Sequence, residues 1–326
     1  MKTRPPTVDV VLLSWNRLEE TLAAVDSVLT QDIESIALWI VDQGSEPRQI
    51  AALRRLSRQH PDIHFIELHR NLGVPSGRNV GIGAGKADFV VCLDNDAVFD
   101  TPHALSTAVD RLVSDHRLGA ISFRALDEAT GELDLGSWAY PRILMETSEP
   151  VLVGRFVGVG HALRREAFED AGGYDETLFF CEEELDLSYR MIDLGYRILY
   201  DPSIVVSHKQ SPEERMEWDG GRMYHQVRNA VLVHHRYRRR LPTTALVAAG
   251  WLIRGLYNGQ GRQAIHGIFD AIRLLNSEGN AGRLSRQALL YVWEHDTRLR
   301  GSLLDRLRHE VLAPLPARMD GRAGSS

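Results

Sequence analysis

Two acid-rich stretches hold residue types and spacings that could do chemistry. Phe89-Val90-Val91-Cys92-Leu93-Asp94-Asn95-Asp96 is an apolar run ending in two carboxylates that flank an amide. It reads as a buried parallel strand whose carboxyl end opens into the crevice where α/β sheets bind ligands. Extended geometry would turn Asp94 and Asp96 to one side. There they suit a hard divalent cation, which keeps waters and takes substrate phosphates. The same residues also read as a strand followed by an Asp/Asn turn. The second stretch, Cys181-Glu182-Glu183-Glu184-Leu185-Asp186-Leu187, opens a helix continuing through Tyr189, Ile192 and Leu194. Acids in a first helical turn are favoured by the helix dipole. Four acids in five positions exceed what capping needs. Crowded carboxylates raise one another's pKa, which suits a general base.

The elements that position these acids alternate. Val8 to Leu13 is a β-rich run, and Asn16 with Glu19 reads as a capping box opening a helix. That helix buries Leu18, Leu22, Val25, Val28 and Leu29. Ile36 to Val41 is a second strand, ending at Asp42-Gln43-Gly44-Ser45. Pro47 opens a helix to about His60, and Ile63 to Leu68 is a third strand. Asn71 to Gly85 is Gly-rich with a short helical core. This alternation predicts a layered, mainly parallel α/β sheet. Further on, Ala120 to Phe123 is a strand, Ala129 to Glu132 a hairpin turn, and Phe156 to Leu163 a Gly-spaced strand suited to close approach of a ligand. Tyr196 to Tyr200 and Ile204 to Val206 read as short strands around Asp201-Pro202, with His208 following as a polar strand end or a ligand. Beyond about Ser211 the pattern is helical, through 211–318, and 319–326 is a polar, Gly-rich tail expected to be disordered.

Composition narrows the function classes. The chain has 326 residues, 44% hydrophobic, with a formal charge of −6, which gives no support to general nucleic-acid binding. Cys92 and Cys181 make neither a disulfide framework nor a Cys-rich zinc site. The first residues lack the apolar core of a signal peptide, and the run Ala245 to Ile253 is far short of a bilayer span, so a cytoplasmic protein is expected. No G-x-x-x-x-G-K-[ST] follows a strand, and the first strand ends in Ser14-Trp15-Asn16-Arg17 rather than G-x-G-x-x-G. Asp42 could accept hydrogen bonds from a base or ribose, or make an Asx-turn with Gly44. Arg78 has a guanidinium suited to phosphate, or is a solvated helix-start arginine.

Four stretches, in this order and spacing, resemble glycosyltransferase family 2, the inverting enzymes with the GT-A nucleotide-diphospho-sugar fold. They are Ser14-Trp15-Asn16-Arg17, Asp42-Gln43-Gly44-Ser45, Asn71-Leu72-Gly73 with Gly77-Arg78-Asn79-Val80-Gly81, and Asp94-Asn95-Asp96. The chain is similar to rhamnosyltransferase-like and galactofuranosyltransferase-like members. The resemblance covers about Thr7 to Asn229, including Tyr224 with Arg228-Asn229, and implies a GT-A domain over 1–210. Within it, 1–100 would bind the nucleotide and 101–210 the acceptor, with the helical region as a C-terminal extension. It implies donor contacts from Ser14, Asn16, Arg17, Asp42, Gly73, Arg78, Asn79, Asp94 and Asn95. Mg²⁺ or Mn²⁺ would be held by Asp96, with Asp94 and His208. Family members commonly carry Glu-Asp-x-Asp where this chain has Glu183-Glu184-Leu185-Asp186, so Glu184 takes the base position. The extra methylene leaves Glu183 as an alternative, with Asp186 alongside.

The implied donor is a UDP-, dTDP- or GDP-sugar, and the implied acceptor a carbohydrate, a lipid-linked species or a small molecule. A nucleotidyltransferase would want a Gly-rich basic loop after the first strand, and a non-catalytic sugar-binding subunit would be expected to lack the acids. The basic Arg236-Tyr237-Arg238-Arg239-Arg240 beside an amphipathic helix reads as a solvated face, a homodimer contact through the C-terminal helices, or a peripheral membrane contact.

Overall fold

The computed structural model describes residues 8–209, 221–238, 241–277 and 282–315. The expected tail at 319–326 lies outside them. In chain order the elements are β1 (Val8–Ser14), α1 (Leu18–Leu29), β2 (Ile36–Gln43), α2 (Pro47–Gln59), β3 (Ile63–Leu68), α3 (Val74–Ala84), β4 (Phe89–Asp94) and β5 (Ala97–Phe99). There follow α4 (Ala104–Ser114), β6 (Leu118–Asp127), β7 (Val151–Val153), β8 (Gly160–Arg164), α5 (Arg165–Asp170), α6 (Glu183–Asp193) and β9 (Arg197–His208). The last helices are α7 (Met223–Arg238), α8 (Leu241–Tyr257), α9 (Gly261–Ser277), α10 (Arg286–His295) and the single-turn α11 (Leu303–Arg306).

One sheet runs β3-β2-β1-β4-β8-β6-β9-β5, with β7 on β9. The first four strands in that order are parallel. β8 is antiparallel to both β4 and β6, and β6 and β9 are again parallel. β1 and β4 are buried almost throughout, as strands covered on both faces must be. Because β4 lies beside β1 on the side opposite β2 and β3, the strand order reverses there. In open α/β sheets the carboxyl ends of two strands flanking such a reversal are where the ligand crevice lies.

Three local expectations change. Asn16 and Arg17 both take left-handed φ, 55° and 60°, and no side chain caps α1, so no capping box forms. β8 begins only at Gly160, leaving 156–159 as a loop. The two short strands around Pro202 are one strand, β9, in which a register shift opposite Phe123/Arg124 absorbs the proline.

The chain divides into two compact units, 1–210 with Leu284–Leu299, and 211–283 with 300–326. The helical region expected over 211–318 is therefore not one piece. α10 belongs to the sheet-containing unit, where the Tyr291 hydroxyl accepts from Ile198 N at 3.1 Å and bonds the Val153 carbonyl at 3.2 Å. In the second unit, α7, α8 and α9 close a small core around Met223, Val227, Val231, Ala264 and Ala271.

The glycines of α3 set its height on the sheet. A Cβ on Gly81 would meet Val11 Cγ1 at 2.5 Å and Val41 Cγ2 at 3.0 Å. Helix propensity alone favours alanine there by about 1 kcal/mol. Overpacking against two valines costs about 1–3 kcal/mol, so Gly81→Ala is expected to lower the urea unfolding midpoint rather than raise it.

Candidate active site

The loops after β1 and β2 are tied to each other. Ser14 Oγ accepts from Gln49 Nε2 at 2.7 Å, and the same nitrogen donates to the Asn16 carbonyl at 2.6 Å. Asn16 N donates to Ser45 Oγ at 2.7 Å, and Asn16 Oδ1 accepts from Glu46 N at 3.0 Å. Asp42 is wholly buried: Oδ1 accepts from Gly44 N at 3.1 Å and Ser45 N at 2.9 Å, and Oδ2 from Ser45 Oγ at 2.5 Å. Of its two expected parts, the structure gives it the Asx-turn. Its carboxylate is spent on its own loop rather than open to a base or ribose.

Arg78 is likewise engaged within the protein. It is 2% exposed, neither solvated nor turned outward to a phosphate. Nη1 donates to Glu184 Oε1 at 3.0 Å, and Nη2 to Asp94 Oδ1 at 3.0 Å and the Gly158 carbonyl at 2.8 Å. Burial weighs against its charge, but neighbours including Asp94 and Glu184 outweigh that and push its pKa up. A Cβ on Gly158 would lie 2.4 Å from Glu184 Oε1, so it would push that carboxylate away from Arg78. The close approach expected of this Gly-spaced stretch therefore serves the protein's own side chains. Asn79 likewise turns inward, with Nδ2 donating to the Tyr174 carbonyl at 2.9 Å and Oδ1 accepting from Tyr174 N at 2.9 Å. At Gly73 a Cβ would collide with Phe179, and Val74 N donates to the Phe179 carbonyl at 2.8 Å, so this glycine seats the loop before α6.

β4 ends at Asp94, and the chain turns through Asn95 and Asp96 into β5. Asn95 Nδ2 donates to Thr21 Oγ1 at 3.1 Å, which ties the turn to α1. The β5–β9 register pairs Ala97 with His208 and so brings His208 Nε2 to 3.4 Å from Asp96 Oδ2. His208 Nδ1 lies 2.7 Å from Asp134 Oδ2. Burial opposes protonation of His208, but its bonds to Asp134 and Asp96 and their charges raise it to about 9. Asp134 was not a sequence candidate. Its signal is the Asx-turn Asp134-Leu135-Gly136-Ser137, where Oδ1 accepts from Gly136 N at 2.8 Å.

Asp96 and His208 could hold a divalent cation. An imidazole whose other nitrogen is fixed by a carboxylate is the usual arrangement of a metal-bound histidine. Among the described residues no group of three or more His, Cys, Asp or Glu could hold a metal by itself. One carboxylate and one imidazole would leave positions for waters and phosphate oxygens, as Mg²⁺-type ions prefer. Asp94, expected in this set, gives Oδ1 to Arg78. Asp96 Oδ2 also carries a protein cation: Arg17 Nη1 lies on it at 2.7 Å. The Arg17 side chain is 7% exposed, and its Nε and Nη2 have no hydrogen-bond partner.

The acids of α6 separate by environment. Glu184 faces Arg78. Glu183 is buried with Oε2 unpartnered, and burial followed by the charge of Glu184 pushes its pKa well up. Asp186 accepts from Arg190 Nε at 3.0 Å and Nη2 at 2.5 Å, and Arg190 also holds the Gly173 carbonyl, which makes this a structural pair. The loop leading in is strained: Phe179, Cys181 and Glu182 have φ of 58°, 69° and 67°. Burial raises Asp94, whose carboxyl also feels Arg78, Asp96, His208 and Glu184, so the acids from β4, the β5 turn and α6 converge.

A mostly parallel sheet with flanking helices and acids gathered at its crevice defines the GT-A class of α/β fold. Two solved structures share that fold. One is a mannosyltransferase from Pyrobaculum calidifontis in complex with GDP-mannose and Mn²⁺ (TM-score 0.57, 18% identity, covering 91% of this chain and 86% of that one). The other is GalNAc-T7 with UDP, GalNAc and Mn²⁺ (TM-score 0.61, 16% identity, 78% and 51%). The family model described as Glycosyl transferase family 2 matches residues 9–172, and the chain belongs to that family. It is 28% identical over 225 residues to a pre-mycofactocin glycosyltransferase of Mycobacterium tuberculosis, covering 63% of this chain and 45% of the relative. It is 24% identical over 203 residues to a poly-β-1,6-N-acetyl-D-glucosamine synthase of Staphylococcus aureus, covering 60% and 48%. The chain thus spans about half the length of the curated relatives it matches.

Removing the guanidinium from this site would strand two carboxylates. Arg78→Met is expected to cost about 3–5 kcal/mol, as breaking a buried ion pair does, read as a drop in unfolding midpoint by circular dichroism.

Proposed function

We propose that this chain is an inverting, divalent-metal-dependent glycosyltransferase that moves a sugar from a nucleotide-diphospho-sugar to an acceptor hydroxyl. The observation that carries the reading is the Asp94–Arg78–Glu184 bridge, which sets the end of β4 and the start of α6 on one crevice. In this reading 1–100 binds the nucleotide and 101–210 the acceptor. The loops after β1 and β2, built by Ser14, Asn16 and Asp42, shape the nucleotide side. Asp96 and His208 hold the cation, which when bound supplies Lewis-acid stabilisation of charge on the departing diphosphate. The unpartnered nitrogens of Arg17 are donors for the diphosphate oxygens.

Glu184 is the base that takes the proton from the acceptor hydroxyl as it attacks the anomeric carbon from the face opposite the leaving group. Its Arg78 partner keeps the carboxylate oriented. Glu183, buried beside Glu184 with its pKa pushed up and no contact to Arg78, lacks the cation that orients Glu184. Binding names the donor: screening UDP-, dTDP- and GDP-sugars by mass spectrometry, with release of free nucleoside diphosphate as readout, tests the activity directly.

Two variants divide the site. Glu184→Gln is expected to lower turnover about 10²–10⁴-fold, the usual worth of a general base, while donor affinity by calorimetry stays within a few-fold. Turnover close to the parent's would refute the base assignment. Asp134→Asn removes the carboxylate that orients His208 and is expected to weaken Mn²⁺ binding about 10–100-fold, read by electron paramagnetic resonance titration.

A further inference from the structure

The second unit presents an apolar surface that its own core does not use. On α8 every exposed position with a described side chain is apolar, and they fall at 242, 245, 246, 249, 253, 256 and 257, one continuous stripe of a helix. Leu246 is 71% exposed, Leu256 and Tyr257 61% each, and Ile253 44%. On the neighbouring α9 the exposed stripe carries Ile265, Phe269 and Ile272, with Phe269 65% exposed. Basic residues share that stripe: Arg262, His266 and Arg273 are exposed beside the three hydrophobes. Asp270 is the one acid of α9, and it accepts from the Tyr224 hydroxyl at 2.7 Å.

A surface of this kind marks a partner, and charge decides which. The second unit holds 16 arginines against nine Asp and Glu, in a chain whose total charge is −6. A second copy of so basic a unit would meet like charge, whereas an anionic bilayer surface attracts each arginine. No helix among the described residues is long and apolar enough to cross a membrane, which leaves lying on the surface. An amphipathic helix with large hydrophobes bordered by arginine is the form that does so, sinking its apolar face to the headgroup boundary.

We propose that α8 and α9 dock this protein onto an anionic lipid surface, with Leu246, Ile253 and Phe269 inserted and Arg262 and Arg273 on the headgroups. The test is co-sedimentation of the full chain with phosphatidylcholine vesicles, with and without about one-third phosphatidylglycerol, at low and high salt. Retention is expected on the anionic vesicles only, and lost on raising salt. Phe269→Glu and Ile253→Glu should each abolish it. Arg262→Ser with Arg273→Ser should weaken partitioning about 25-fold, roughly five-fold for each arginine near the surface. All four side chains are partly or fully exposed, so unchanged circular dichroism verifies that the variants fold. No retention on anionic vesicles overturns the proposal, as does equal retention on neutral ones. A lipid-free dimer that Phe269→Glu splits in sedimentation velocity would assign the face to a second copy and overturn it too. None of these readouts depends on sugar transfer, so they stand apart from the proposed activity.

Discussion

A buried guanidinium joined to two carboxylates from distant parts of the chain is the constraint on which the site rests. A charge taken out of water is costly unless its partners are close and well aligned, and Arg78 meets that demand with Asp94, Glu184 and the Gly158 carbonyl. The surroundings keep other charges away. His161 is driven toward its neutral form by burial and by Arg78 itself, and burial lifts the Cys92 thiol to about 12. The Tyr174 hydroxyl bonds His161 Nε2 at 2.8 Å, while the Arg78 guanidinium lies over the Tyr174 ring. One polar knot in an otherwise apolar layer therefore fixes α3, β4, the 156–159 loop and α6 with respect to one another.

The sheet explains how so few contacts suffice. Its parallel half delivers the ends of β1, β2 and β4 to one edge, and the β5–β9 pairing brings His208 from the far end of the unit back beside Asp96. The antiparallel entry of β8 between β4 and β6 carries the 156–159 loop to the same edge. Glycines without room for a Cβ, at 81 and 158, let helix and loop come near enough for side chains to bridge.

Much of this was legible in the primary order. The alternation of elements through β4, the acids at its end, the acidic start of α6 and His208 after the last strand all stood out, because periodicity and local composition carry them. What local reading could not give was direction. Asp42 and Asn79 have the residue types of ligand contacts, yet their hydrogen-bonding capacity is used within the protein, by a turn and by the Tyr174 loop. Arg78 has the charge that phosphate wants, but 16 and 106 residues away stand the carboxylates that take it. Asp134 shows in the primary order only as an Asx-turn, because its importance lies in a contact with His208, 74 residues on. The return of α10 to the first unit was hidden for the same reason: nothing in a helical pattern says which core it will join.

Five non-glycine residues among those described adopt left-handed backbone, and all sit in the two loops that border the crevice: Asn16 and Arg17 on one side, Phe179, Cys181 and Glu182 on the other. Each such residue forgoes about 1–2 kcal/mol that glycine would recover. Breeding this protein for heat resistance alone would thus draw glycine into both loops. The molecules so obtained would melt later while losing the stiffness that aims Arg17 and α6, a case where robustness and performance are set against each other in the same ten or so backbone angles.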